Sequence, residues 1–167
     1  DALTGLPNRL SLFERLASVA DRSASRDGDG TALILLDLDG FKDINDRVGW
    51  RVGDLLLRAV CGRTEGAVPG AMLMARCGSD SFAVLLHPST GEEMAAASAA
   101  IEAALAAPFH FADQRIQCTA SIGMAWADGC TGVGTLLRDA EAALYEARRQ
   151  GGARCVSYGA DADGGSL

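Results

Sequence analysis

The sequence predicts an α/β (α+β) fold: a mostly antiparallel central sheet flanked by helices. Three observations carry that expectation. The apolar runs are short and bounded by turn signals. Helical stripes fall among them in an order that does not alternate strand with helix, as a doubly wound sheet would require. Two of the strands are separated only by Gly78-Ser79-Asp80-Ser81, a turn that suits a β-hairpin. The chain has 167 residues, 49% hydrophobic and 22% charged, and shows no internal repeat, which fits one soluble domain with a substantial core.

After Leu6-Pro7-Asn8, the spacing of Leu10, Phe13, Leu16, Ala17 and Ala20 marks one face of a helix, which fades into the polar loop Ser23 to Gly30. Thr31 to Leu36 follows as a buried strand. Beyond an acidic turn, Phe41 to Val48 reads as a short helix, and Val52, Leu55, Leu56, Ala59 and Val60 belong to a second one, ended by Gly66 to Gly70. Met72 to Cys77 and Phe82 to Leu86 are the arms of the hairpin. Ser89-Thr90-Gly91-Glu92 has the composition of a capped helix start, continued by an Ala-rich segment through Ala107 to Pro108. Phe109 to Phe111 and Arg115 to Trp126 read as another strand pair. Leu136, Leu137, Ala140, Ala143, Leu144 and Ala147 stripe a helix from Thr135 to Gln150, closed by Gly151-Gly152, and Cys155 to Tyr158 is a last strand. The domain is expected to span residues 1–158, with 159–167 a linker or disordered tail too poor in apolar residues to order itself.

The net charge of −7 argues against broad nucleic-acid binding, which needs a basic patch or stripe. Cys61, Cys77, Cys118, Cys130 and Cys155 are odd in number, irregularly spaced and without a Cys-x-x-Cys pair, so reduced thiols are expected rather than disulfides or zinc. No apolar run reaches the ~18 residues of a membrane span and no signal-like segment opens the chain, which points to a cytosolic, cytoplasmic setting.

Two acidic stretches end apolar runs. Asp37 closes a strand and Asp39 follows on the same side if the strand persists. Backbone amides from Gly40 through Phe41 to Lys42 then open a helix, whose N-terminus suits a phosphate, while Asp37 suits the Mg²⁺ that a phosphate brings and Lys42 adds a point charge. The bland alternative is that Asp37, Asp39 and Asp43 cap the helix and face water. Asp80, in a tight turn between two buried strands, favours use over ornament, although aspartate is common in such turns.

The ordered set Asp1-Ala2-Leu3-Thr4-Gly5-Leu6-Pro7-Asn8-Arg9, Asp37 to Asp46, Gly53-Asp54, Arg76 to Phe82, Ser121 to Ala125 and Ala143 to Ala147 resembles the GGDEF family of diguanylate cyclases, from Asp1 to Tyr158. The resemblance implies a fold like the nucleotidyl cyclase palm, with GTP over the hairpin and Mg²⁺ or Mn²⁺ on its triphosphate. Two domains would face each other as a homodimer to make cyclic di-GMP. It further implies Asp37, the Leu38 carbonyl and Asp80 as metal ligands and Asp80 as the catalytic carboxylate. Asn45 and Asp54 fall where the family binds guanine. An amide and a carboxylate together match that base's edge. Arg148 takes the place of a lysine, and the family often carries sensory or phosphodiesterase domains beside this one.

The signature turn departs from the family. Gly78-Ser79-Asp80-Ser81-Phe82 replaces its second glycine and the following glutamate. Ser79 is expected to resist a positive φ at a cost of about 1 kcal/mol and to crowd the nucleotide. Ser81 removes a charge beside the metal, weakening that site. Trp50 replaces a histidine and is expected to be a packing residue rather than a base-stacking platform. Gly152 replaces an arginine, and Pro69-Gly70-Ala71-Met72 lacks the charges of the family's product-inhibition site, so no feedback is expected there. These losses point to a degenerate domain of a cyclic di-GMP signalling protein, a regulatory GTP-binding module with little or no cyclase activity. The alternative is a working cyclase.

Overall fold

Every residue from Thr31 to Leu38 is buried, because helices cover both faces of the strand they form. The computed structural model describes residues 1–23, 30–87, 89–127 and 133–159. The elements in order are α1 (Arg9–Ser23), β1 (Thr31–Leu38), α2 (Phe41–Val48), α3 (Trp50–Ala67), β2 (Leu73–Arg76), β3 (Ser81–Leu86), α4 (Gly91–Ala106), β4 (Phe109–Phe111), β5 (Gln114–Ile116), β6 (Ala120–Ala127), α5 (Val133–Arg149) and β7 (Cys155–Gly159). The central sheet has the order β2-β3-β1-β6-β7 and is antiparallel except at β6–β7. The fold class is therefore the expected one.

Alternation along β1 sorts the core into two layers. Ile34, Leu36 and Leu38 join Phe82 and Ile122 under α2, α3 and α4. Leu33 and Leu35 join Ala83, Leu85 and Ala125 under α1 and α5. Helix α5 lies very close to the sheet: any side chain at Gly123 of β6 would collide with the main chain of Ala140 and Leu144. Ala140, Ala143 and Ala147, all fully buried, are small enough to allow that approach.

Three local expectations are corrected. In α1 the buried stripe is Leu12, Leu16 and Val19, while Leu10, Phe13 and Ala17 are exposed. Two apolar stripes compete on that helix, and contact with the sheet selects the second. In α3, Leu57 is buried and Leu55 is exposed for the same reason. The strand pair expected after Pro108 is divided, with β5 pairing only with β4 in a separate ribbon and β6 entering the central sheet.

Cys61, Cys77, Cys118 and Cys155 are free thiols, in line with the sequence, and burial pushes Cys118 up to about 12 and Cys61 up to about 11. Cys130, residues 24–29 of the expected loop and the tail from 160 onward lie outside the described residues. No helix among the described residues is long and apolar enough to cross a membrane.

Candidate functional site

Asp37, at the end of β1, is 3% exposed and stands in register with Ser81 of β3 and Ser121 of β6. A carboxylate that deep requires compensation. Arg148, from the last turn of α5, forms an ion pair with its Oδ2, which leaves Oδ1 without a hydrogen-bond donor among the described residues. Arg148 is the outer half of the pair, its side chain 54% exposed. Beside them a cleft of about 270 Å³ runs between α1 and α5, lined by Arg9, Leu12, Phe13, Leu144 and Tyr145 as well as the pair itself.

The hairpin turn meets this rim. The Leu38 N–H donates to the Asp80 carbonyl at 3.1 Å, and the Cys77 N–H donates to the Ser81 carbonyl at 2.8 Å. Asp80 is half-buried, and its carboxylate accepts a hydrogen bond from the Ser79 hydroxyl at 2.6 Å. Arg76 braces the turn, donating to the Ser79 carbonyl at 2.6 Å while pairing with Asp1 at 3.1 Å. Neither Gly78 nor Ser79 has a positive φ, so the strain expected at Ser79 is not there. The serine instead acts through its hydroxyl.

Asp37, Leu38 and Asp80 thus share one rim, as the sequence suggested. No group of three or more His, Cys, Asp or Glu side chains converges among the described residues, so a cation here would have only two carboxylates and a main-chain carbonyl to hold it. That donor set suits a hard divalent ion such as Mg²⁺, and Asp37 Oδ1, buried without a donor, fits it.

Asp39 departs from both readings of the acidic turn. It accepts hydrogen bonds from Thr119 Oγ1 at 2.8 Å, Ser121 Oγ at 2.6 Å and the Ala153 N–H at 2.9 Å, and so ties β1 to the entries of β6 and β7. Helix α2 begins after Gly40 with no side-chain cap, so none of Asp37, Asp39 and Asp43 caps it and its first amides stay available. Phe41 is buried and Lys42 exposed at that end.

About 6 Å further along α2, Asn45 is 4% exposed, with its Oδ1 lacking any donor. Its amide oxygen points onto α3 at Gly53, where any side chain would collide with it. Asp54 follows on the exposed side of α3. Trp50 does not pack as expected, for it is 72% exposed. At the end of α5, Arg149 pairs with Glu146 at 2.8 Å, and that bond together with one from Gln150 holds the Glu146 carboxyl down to about 2. Arg148 is therefore the cation that turns inward.

The family model "Diguanylate cyclase, GGDEF domain" matches residues 1–154. Among curated relatives, the diguanylate cyclase DgcP of Pseudomonas aeruginosa is 38% identical over 152 residues, covering 90% of this chain and 22% of DgcP. MucR of the same organism, a bifunctional diguanylate cyclase/cyclic di-GMP phosphodiesterase, is 37% identical over 153 residues, again 90% of this chain and 22% of the relative. The chain thus spans about a fifth of the length of either. Among solved structures, the GGDEF domain of TpbB, also from Pseudomonas aeruginosa, superposes with a TM-score of 0.83 at 32% identity, covering 96% of this chain and 99% of that one.

Proposed function

This chain belongs to the GGDEF family of diguanylate cyclase domains, and from that membership we propose that it is a regulatory, GTP-binding module of a cyclic di-GMP signalling protein with little or no cyclase activity. The observation that carries the proposal is the 2.6 Å hydrogen bond from Ser79 to the Asp80 carboxylate. A residue absent from the intact signature occupies a lone pair of the one turn carboxylate left for metal and substrate. Ser81, opposite Asp37, adds no second charge.

The recognition half of the site is preserved. Asn45 and Asp54 read the guanine edge, the uncapped amides of α2 and Lys42 face the phosphates, and Asp37, the Leu38 carbonyl and Asp80 hold Mg²⁺ or Mn²⁺. That ion, bound with the triphosphate, supplies charge neutralisation. Arg148 neutralises Asp37 in the nucleotide-free protein and turns to the phosphates when a cation takes over the carboxylate. The domain works as a homodimer or through neighbouring sensory or phosphodiesterase domains.

Calorimetry with GTP and Mg²⁺ is expected to show binding, and chromatography after incubation with GTP is expected to show no cyclic di-GMP. Absence of heat at millimolar nucleotide removes the GTP-binding reading. The retention of Asp37 and Asp80 favours the second reading, a slow cyclase. Turnover that disappears in Asp80→Ala would establish it.

A further inference from the structure

We infer that Trp50 is a stacking platform for the guanine base, an inference that rests on the GTP-binding reading above. Trp50 is 72% exposed, and its indole makes no hydrogen bond among the described residues, so neither packing nor polar anchoring accounts for it. Its position is fixed all the same. A single residue, Gly49, joins α2 to α3 with φ 84° and ψ 154°, a conformation essentially confined to glycine. The Gly49 N–H donates to the Asn45 carbonyl at 2.8 Å, and its carbonyl accepts from Val52 and Gly53 at 3.2 and 3.1 Å. Trp50 is thereby held at the first turn of α3, next to the end of α2.

Trp50, Gly53 and Asp54 are spaced i, i+3 and i+4, so they share one face of α3. Gly53 is where the Asn45 amide oxygen meets α3. The indole and Asp54 are therefore neighbours on α3 beside Asn45, whose buried Oδ1 turns onto Gly53 without a hydrogen-bond donor. That unpaired buried oxygen is the independent sign of a ligand, since a buried polar group is normally satisfied. A flat heterocycle against the indole presents its edge to Asn45 and Asp54 together. Stacking tolerates any base, so Trp50 supplies affinity while the amide and carboxylate supply the choice of guanine.

The two tryptophans make the test direct. Trp126 is half-buried, with its Nε1 donating to the Ser89 carbonyl at 2.9 Å, and it reports folding from β6 of the central sheet. In Trp126→Phe, titration with GTP and Mg²⁺ is expected to quench the remaining Trp50 emission. By calorimetry, Trp50→Ala is expected to bind GTP about ten-fold more weakly and Trp50→Phe to keep part of that affinity. An exposed residue can be replaced without unfolding the domain, and unchanged Trp126 emission verifies this. If the wild type binds GTP while Trp50 emission stays constant, or Trp50→Ala binds as tightly as wild type, the stacking role is wrong and the GTP-binding reading stands. If the wild type shows no GTP heat, both fall.

Discussion

The Asp37–Arg148 pair sets the electrostatics of the rim, because the carboxylate is buried and the guanidinium is largely in water. Removing the cation strands the charge. Arg148→Met is expected to cost about 1–2 kcal/mol in chelator, below the cost of breaking a fully buried pair because the arginine's outer half is already screened. Millimolar Mg²⁺ should then raise the melting temperature of the variant by several degrees and that of the wild type by less. Equal melting of the variant with and without Mg²⁺ would show that Asp37 does not take the ion. Ser81→Glu addresses the same rim from β3. It places a second carboxylate directly opposite Asp37, which should destabilise the metal-free domain by about 1 kcal/mol and raise Mn²⁺ affinity several-fold by titration. Asp37 and Asp80 were legible in the sequence because apolar runs frame them, whereas Asn45 was pointed to only by the resemblance to the family. Asp39 was not, since its partners Thr119, Ser121 and Ala153 lie 80, 82 and 114 residues away.

Local chemistry made some elements readable and left others to tertiary contact. The start of α4 was readable: the Thr90 hydroxyl accepts from the Glu93 N–H at 3.1 Å, and Glu93 accepts from the Thr90 N–H at 2.8 Å, a complete capping box. Thr90→Ala should cost about 1 kcal/mol in denaturant unfolding without altering GTP heats. The buried face of α1 was only partly readable: Leu16 was expected inside, but Leu10 and Phe13 compete with Leu12 and Val19 and only the sheet decides between them. The loop between α5 and β7 holds a less obvious constraint. Gly152 has φ 73°, and a Cβ there would sit 2.9 Å from the Asp39 carboxylate. Restoring the family's arginine with Gly152→Arg is therefore expected to lose about 1–3 kcal/mol through backbone strain and crowding of the Asp39 knot, rather than simply to gain a phosphate contact. A variant that melts like wild type and binds GTP more tightly would refute this.

At the scale of the molecule, the strands could be found in the sequence but not their neighbours. The parallel β6–β7 pair depends on α5 as its crossover, and the close approach of α5 at Gly123 is a property of three elements at once. Packing that tight also governs how the whole domain answers to pH. Burial is the largest cause of the raised Cys118 and Cys61 thiols, with the Asp39 charge and then Asp80 adding to the first and Glu65 to the second. Both thiols ionise near the ordinary value of 9.0 when unfolded, but Cys118 only near 12 and Cys61 near 11 when folded. The folded state therefore holds protons that the unfolded state releases, and stability must fall as pH rises from 9 toward 12. Below pH 9 the contribution is complete. Each thiol contributes a slope of at most about 1.4 kcal/mol per pH unit across its own window. Other groups also titrate there, so the decisive measurement is a comparison: urea unfolding between pH 8 and 11 should fall less steeply for Cys118→Ala than for wild type. Parallel curves would mean that the Cys118 thiol is not protected by the fold.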